Sequence, residues 1–165
     1  MSILQVSPQL LTQICRHAEQ AYPDECCGLL MGRLDTADHK ILVEVLPTEN
    51  AWDEETAKTF ESLETSEKPL TTTERRYTIA SEVLLNAQKQ GRECQLSIIG
   101  IYHSHPNHAA IPSEFDRVCA WLGYSYIIVS VQQGKATDIQ NWCLDQQHQF
   151  QPEAMIFSPD CSRLG

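Results

Sequence analysis

Residues 100–116 read GIYHSHPNHAAIPSEFD, and the two histidines in this stretch, His103 and His105, are one residue apart. The segment before them, residues 96–102, is rich in Leu, Ile and Tyr and reads as a buried strand. Along a strand, residues i and i+2 point to the same side. His103 and His105 are therefore expected to send both imidazoles into one space. Seven residues separate His105 from Ser113, and two more separate Ser113 from Asp116. Two imidazoles and a carboxylate are the donor set of a three-ligand zinc site whose fourth tetrahedral position is left for water. His108, in the same loop, is the alternative third imidazole. Ser113 and Asp116 also have a plainer reading, because Ser-x-x-Asp opening a helix is a capping pattern. Pro112 before it, and Val118, Trp121 and Leu122 after it, suit a helix that starts there. The two readings are compatible, since a capped first turn is rigid and a metal ligand needs a rigid mount.

Working outward, Ser7-Pro8 is a helix start, and Leu11, Ile14, Cys15, Ala18 and Tyr22 recur at helical spacing up to Pro23. Residues 26–31 (CCGLLM) and 40–46 (KILVEVL) read as two buried strands, with the link 33–39 making a hairpin plausible. From residue 50 to 76 the periodicity is lost. Within it, residues 53–74 carry six Glu and one Asp against two Lys. This is long for a structureless connection, so it reads as an acidic, flexible insertion, with a short helix at 54–63 as the other option. A second helix fits residues 81–90, with Gly91 as its stop. After the helix opened by Ser113, residues 126–131 (YIIVSV) form another strand. A turn at Gln133-Gly134 leads into an antiparallel partner over 137–144. Residues 150–157 read as a last edge strand, the position in which Pro152 is tolerated. The pattern is α/β.

With 165 residues the chain suits one domain and needs no disulfides to hold a core. Its seven cysteines are odd in number, scattered and without a C-x-x-C. They read mostly as small buried apolar residues in a reducing compartment, with Cys161 near the tail as an exposed exception. No apolar run is long enough to span a bilayer. The N-terminal segment lacks the basic start and apolar centre of a signal peptide, so a cytoplasmic protein is expected. A net charge of −10 weighs against nucleic acid and against an anionic membrane surface.

His103-Ser104-His105-Pro106, taken with Ser113 and Asp116, resembles the JAMM motif of the MPN-plus (Mov34/PAD-1) zinc metalloproteases. Residues 23–32, PDECCGLLMG, resemble the stretch that carries that family's catalytic glutamate, at Glu25 in this chain. The likeness runs over roughly residues 10–144, in the family's order, and is to the short single-domain bacterial type. Several of those are linked to ubiquitin-like sulfur carriers ending in Gly-Gly. The segments read along the chain make a mixed sheet of about six strands with about three helices, and the resemblance implies that the sheet is curved and flanked by the helices, similar in outline to cytidine deaminases. It implies a single JAMM/MPN domain over residues 1–157, with 158–165 as a tail. It implies one Zn2+ per chain held by His103, His105 and Asp116. Glu25 would be the base that takes a proton from water and passes it to the leaving amine, and the Ser113 hydroxyl would donate to the oxyanion. Asp24 is the alternative carboxylate.

The implied reaction is hydrolysis of a peptide or isopeptide bond following the C-terminal Gly-Gly of a ubiquitin-like or sulfur-carrier protein. A non-catalytic MPN-type scaffold is the alternative. A nucleic-acid-linked role, as in RadC-like relatives, is a third reading that the charge opposes. No second His/Cys cluster is present for the additional structural zinc of some polyubiquitin-cleaving relatives. Ser104 is expected to face away from the two imidazoles and bond a neighbour, and Pro106 to fix the exit from the strand. His17, His39 and His148 read as ordinary surface histidines, and Trp52 and Trp142 as core or rim anchors. Neither the oligomeric state nor the surface that docks a carrier is legible in the sequence.

Overall fold

The computed structural model describes residues 2–52 and 77–158. The acidic stretch 53–74, the optional helix at 54–63, Cys161 and all but the first residue of the 158–165 tail lie outside the described residues.

Eleven elements follow one another among the described residues: β1 (Ile3–Val6), α1 (Pro8–Ala21), β2 (Cys27–Leu34), β3 (Lys40–Thr48), α2 (Ser81–Glu93), β4 (Ser97–Pro106), α3 (Glu114–Cys119), β5 (Ser125–Gln132), β6 (Lys135–Leu144), β7 (Phe150–Pro152) and β8 (Ala154–Phe157). The strands form one mixed sheet in the order β7-β6-β5-β4-β2-β3-β1-β8. The expected mixed α/β architecture with three helices is present. The sheet has eight strands rather than about six, and it curls into a nearly closed barrel.

Both additional strands come from short segments near the two ends of the chain. Ile3–Val6 alternates half-buried and buried and pairs parallel with β3 and β8. The run at 150–157, read as one strand, is two. β7 pairs with β6 and β8 pairs with β1, so consecutive strands stand at opposite ends of the strand order. The residue between them, Glu153, is buried. Its carboxylate accepts hydrogen bonds from Lys40 Nζ at 2.8 Å and Asn141 Nδ2 at 2.8 Å, and from the hydroxyls of Ser2 and Ser125. These partners come from beside β1 and from β3, β5 and β6, so one carboxylate draws together the strands around the seam.

α1 starts as its sequence requires. The Ser7 side chain accepts from Leu10 N at 3.3 Å, with Pro8 in the first turn. Its inner face packs Ile14 and Ala18 onto Leu4, Leu30, Leu42, Tyr102, Ile127 and Val129. β2 and β3 form the expected antiparallel hairpin. Asp35 tightens its loop by accepting from Ala37 N at 2.8 Å and His39 N at 3.0 Å. The other face of the sheet packs Leu29, Met31 and Ile98 against Ala87 of α2.

Gly91 does not stop α2, which runs on to Glu93. A Cβ at Gly91 would lie 2.7 Å from the Leu96 carbonyl oxygen and 2.9 Å from Met31 Cε, so the glycine permits close packing of helix on strand. α3 is only six residues long, and Trp121 and Leu122 lie beyond it, largely exposed rather than on a buried helical face. The cysteines are less uniformly buried than expected. Cys26 and Cys27 are buried, Cys15 and Cys143 are intermediate, and Cys94 and Cys119 are exposed. Among the described residues no helix is long and apolar enough to cross a membrane.

Candidate metal centre

β4 lies between β2 and β5, antiparallel to the first and parallel to the second. Its register with β2 shifts between Leu30 and Met31, leaving Ile99 as the extra residue. The bulge changes the alternation. Ile99 packs with the core under α1, while Ile101 packs with the cluster under α2. From there the alternation is regular, with Tyr102 and Ser104 on the α1 side and His103 and His105 on the other. Ser104, fully buried, accepts a hydrogen bond from Cys26 N at 2.8 Å, as expected of its position. β4 ends at Pro106.

The loop after β4 is fastened at several points. Asn107 N donates to Val131 O at 2.7 Å, Ser130 Oγ to His108 O at 2.6 Å, and Trp142 Nε1 to Ala110 O at 3.1 Å. These anchors hold the Ala109 carbonyl against His105 Nδ1 at 2.8 Å. α3 then opens with a complete capping box. Ser113 Oγ accepts from Asp116 N at 3.1 Å, and Ser113 N donates to Asp116 Oδ2 at 2.7 Å. The box fixes the Asp116 carboxylate at the start of the helix. Phe115 supports α3 from outside, its ring edge-on to the buried Trp52 at 5.6 Å.

Three side chains converge. His103 Nε2 is 3.1 Å from His105 Nε2 and 3.4 Å from Asp116 Oδ1, and His105 Nε2 is 3.3 Å from Asp116 Oδ2. All three are buried. Because His105 Nδ1 faces a carbonyl, the neutral ring carries its proton there and presents a lone pair at Nε2. That lone pair points at a carboxylate and at a second imidazole nitrogen. Burial pushes the His103 pKa down, and the attraction of Asp116 only partly opposes it, so this ring favours the neutral form. Burial alone would raise the Asp116 pKa, but its interactions with His103 and His105 outweigh that and hold it well below the usual carboxylate value. A buried carboxylate and two imidazole nitrogens thus converge on one point. That donor set fits a divalent cation of the zinc type.

Glu25 belongs to the same face. Cys27 pairs with His103 across β2 and β4, and Ser104 N donates to Cys26 O at 3.1 Å, so the pairing continues past the strand's formal start. Cys26 joins the core under α1. Glu25, one residue earlier, alternates to the side of Cys27 and the imidazoles, and it is buried. Asp24 is exposed, which separates the two candidate carboxylates. His108 is exposed and stands outside the convergent group.

Two residues beside the centre were not singled out in the sequence. The Tyr77 ring stacks on the His103 imidazole, centroid to centroid 4.5 Å with an interplanar angle of 24°. Asn50 donates from Nδ2 to Glu25 O at 3.1 Å and accepts at Oδ1 from Trp52 N at 3.1 Å and Thr78 N at 3.2 Å. Asn50 lies at the start of the aperiodic stretch and Tyr77 just beyond its end, where neither shows a periodic pattern. The remaining histidines are half-buried rather than ordinary surface residues. His17 Nδ1 is 2.7 Å from the buried Tyr102 hydroxyl, His148 Nε2 is 3.0 Å from Arg117 O, and His39 Nδ1 is 3.4 Å from Asp35.

The family model for prokaryotic homologs of the JAB domain matches residues 7–145. The chain belongs to this family. Solved structures that resemble this JAB domain include two bacterial proteins. A protein from Desulfitobacterium hafniense, solved in solution, is 26% identical over 96% of this chain and 93% of its own, with a TM-score of 0.69. A protein from Salinibacter ruber, also solved in solution, is 27% identical over 98% of this chain and 93% of its own, with a TM-score of 0.65. No match was found among curated proteins. In this JAB domain the sequence-predicted His103, His105 and Asp116 meet as one group, and Ser113 caps the helix that carries Asp116. Glu25 lies on the same face by strand alternation.

Proposed function

We propose that this JAB domain is a zinc-dependent metallopeptidase that hydrolyses a peptide or isopeptide bond following the C-terminal Gly-Gly of a ubiquitin-like or sulfur-carrier protein. The observation that carries the reading is the convergence of His103 Nε2, His105 Nε2 and the Asp116 carboxylate, all within 4.8 Å of one another. Zinc held by these three would supply Lewis acidity, lowering the pKa of a water to about 7 and polarising a carbonyl. Glu25 takes the proton of the attacking water and passes it to the leaving amine. Glu25 is buried, on the face of the sheet that carries the two imidazoles. Ser113 Oγ already accepts from Asp116 N, which leaves its own O–H to donate to the carbonyl oxygen as negative charge grows there. Ser113 is exposed, so a substrate reaches it. A Gly-Gly tail suits such a centre because glycine lets an extended backbone pass close to a buried metal. A scaffold without catalysis would need none of Glu25, His103, His105, Ser113 and Asp116, and all five are present.

The test is to incubate the zinc-loaded chain with a sulfur carrier extended past its Gly-Gly end by one amino acid and to follow the carrier by mass spectrometry. The expected result is loss of that residue, with cleavage abolished by a chelator and in Glu25→Gln. A carrier that stays intact through prolonged incubation contradicts the proposal.

A further inference from the structure

Histidines that bind a metal through one nitrogen are normally oriented through the other, by donating to a carbonyl or a carboxylate. His105 follows this pattern through Ala109 O. His103 does not. Its Nδ1 is buried and, among the described residues, has no hydrogen-bond partner. Yet His103 is the more deeply buried of the two rings, and its Nε2 lies 3.1 Å from His105 Nε2. Among the described residues, no hydrogen bond at Nδ1 helps to set the plane of this imidazole. The contact that faces it is the Tyr77 ring, at 4.5 Å and 24°. That is within the range of an offset aromatic stack.

We infer that Tyr77 is the positioning residue for His103, its ring fixing the imidazole plane that an Nδ1 hydrogen bond would otherwise fix. Tyr77 is itself anchored. The next residue, Thr78, donates from N to Asn50 Oδ1 at 3.2 Å and accepts at O from Ala51 N at 3.0 Å. Asn50 in turn donates to the Glu25 carbonyl. The stack is therefore tied to the chain segment that carries Glu25, so the plane of His103 and the place of Glu25 are set by one short polar clamp. Rotating His103 about its Cβ–Cγ bond would drive the ring into Tyr77 and carry Nε2 away from Asp116. A flat aromatic ring resists this rotation, and a flexible aliphatic side chain does not. The phenol hydroxyl is not needed for the role.

This inference rests on reading the cluster as a metal site, and it stands apart from the identity of any substrate. The experiment compares the full chain with Tyr77→Phe and Tyr77→Leu. It measures the zinc dissociation constant by chelator competition and the His103 ring-proton shifts of the zinc-free proteins by NMR. Tyr77→Leu should weaken zinc binding by about 10- to 100-fold, the usual cost of losing an outer-shell partner, while Tyr77→Phe stays within about threefold of the parent. The His103 ring protons should be shifted upfield by the stacked ring in the parent and in Tyr77→Phe, and should lose that shift in Tyr77→Leu. Equal zinc affinity in Tyr77→Leu and the parent would overturn the positioning role alone. So would a loss in Tyr77→Phe as large as in Tyr77→Leu. If Tyr77→Leu does not fold, the parent and Tyr77→Phe still decide, because His103 shifts without a ring-current effect overturn the stack. A parent chain that binds no zinc removes the metal reading and this role together.

Discussion

Lys40 and Glu153 meet at the seam of the sheet as a complete ion pair, 2.8 Å apart, with hydroxyls and an amide filling the remaining hydrogen-bonding positions. His103 and His105 of the same sheet meet Asp116 of α3 elsewhere in the molecule as two imidazoles and a carboxylate. Both groups are buried, and burial works to raise the pKa of both carboxyls. At the seam a lysine and two hydroxyls outweigh it and hold the Glu153 pKa below the usual value. At the histidine cluster only imidazoles and a backbone N–H oppose it. The first arrangement is self-sufficient and closes the fold. The second is electron-rich and suited to an added cation, which is why the two should respond differently to substitution, to metal and to acid.

The largest expected effect is His103→Ala, which should weaken zinc binding by more than about 100-fold, beyond the range for an outer-shell change. Calorimetry of the zinc-free chain checks it, and a variant that binds zinc like the parent would break the contrast. Glu25→Gln should keep zinc, measured as metal per chain, and lower kcat by about 10²- to 10⁴-fold, the usual contribution of a general base. Retained turnover would show the base to be misassigned.

The seam is probed by Lys40→Met, which strands the buried Glu153 charge. Denaturant unfolding should show a loss of about 3–5 kcal/mol, as for other buried pairs broken on one side. Zinc affinity of the folded fraction should not change. Pairing it with Glu153→Gln should recover part of the loss, and failure to recover any would mean the network acts other than as a charge pair.

Ser113→Ala splits two roles. The cap should cost about 1 kcal/mol of stability. Loss of the oxyanion donor should cost about 10²- to 10³-fold in kcat.

The smallest expected difference is in acid. Burial holds the His103 pKa below 6.5, so as pH falls below that value the unfolded chain takes up a proton first and zinc-free stability declines. Glu153 is held below 4.5, so its contribution is intact above that pH and is lost only as pH falls through its lowered value. Unfolding curves of the zinc-free chain across pH 3–7 should show the histidine end weakening before the seam.

Much of the site follows from local rules. Strand alternation put His103 and His105 on one face, and Ser113-x-x-Asp116 announced the capped helix that carries the carboxylate. These are short-range patterns that survive folding unchanged. What the sequence concealed is tertiary. Nothing near Glu153 announces that Lys40, over 100 residues earlier, will neutralise it, so the sequence pattern suggests one strand where the chain makes two. Gly91 looks like a helix stop by composition, while its reason is the closeness of Leu96 and Met31. Trp121 and Leu122 suit a longer α3 by spacing, but the helix ends at Cys119. Tyr77 follows an aperiodic stretch and gains its meaning only by meeting His103.

The histidine cluster is suited to a cation, and the seam, which holds its own lysine, is not. X-ray absorption at the zinc edge, on the parent chain loaded with stoichiometric zinc, tests it directly. The expected result is one zinc per chain in a four-coordinate nitrogen and oxygen shell with two imidazoles, lost in His103→Ala and retained in Lys40→Met. A chain that takes up no stoichiometric zinc, or whose zinc shell is unchanged by His103→Ala, would contradict it.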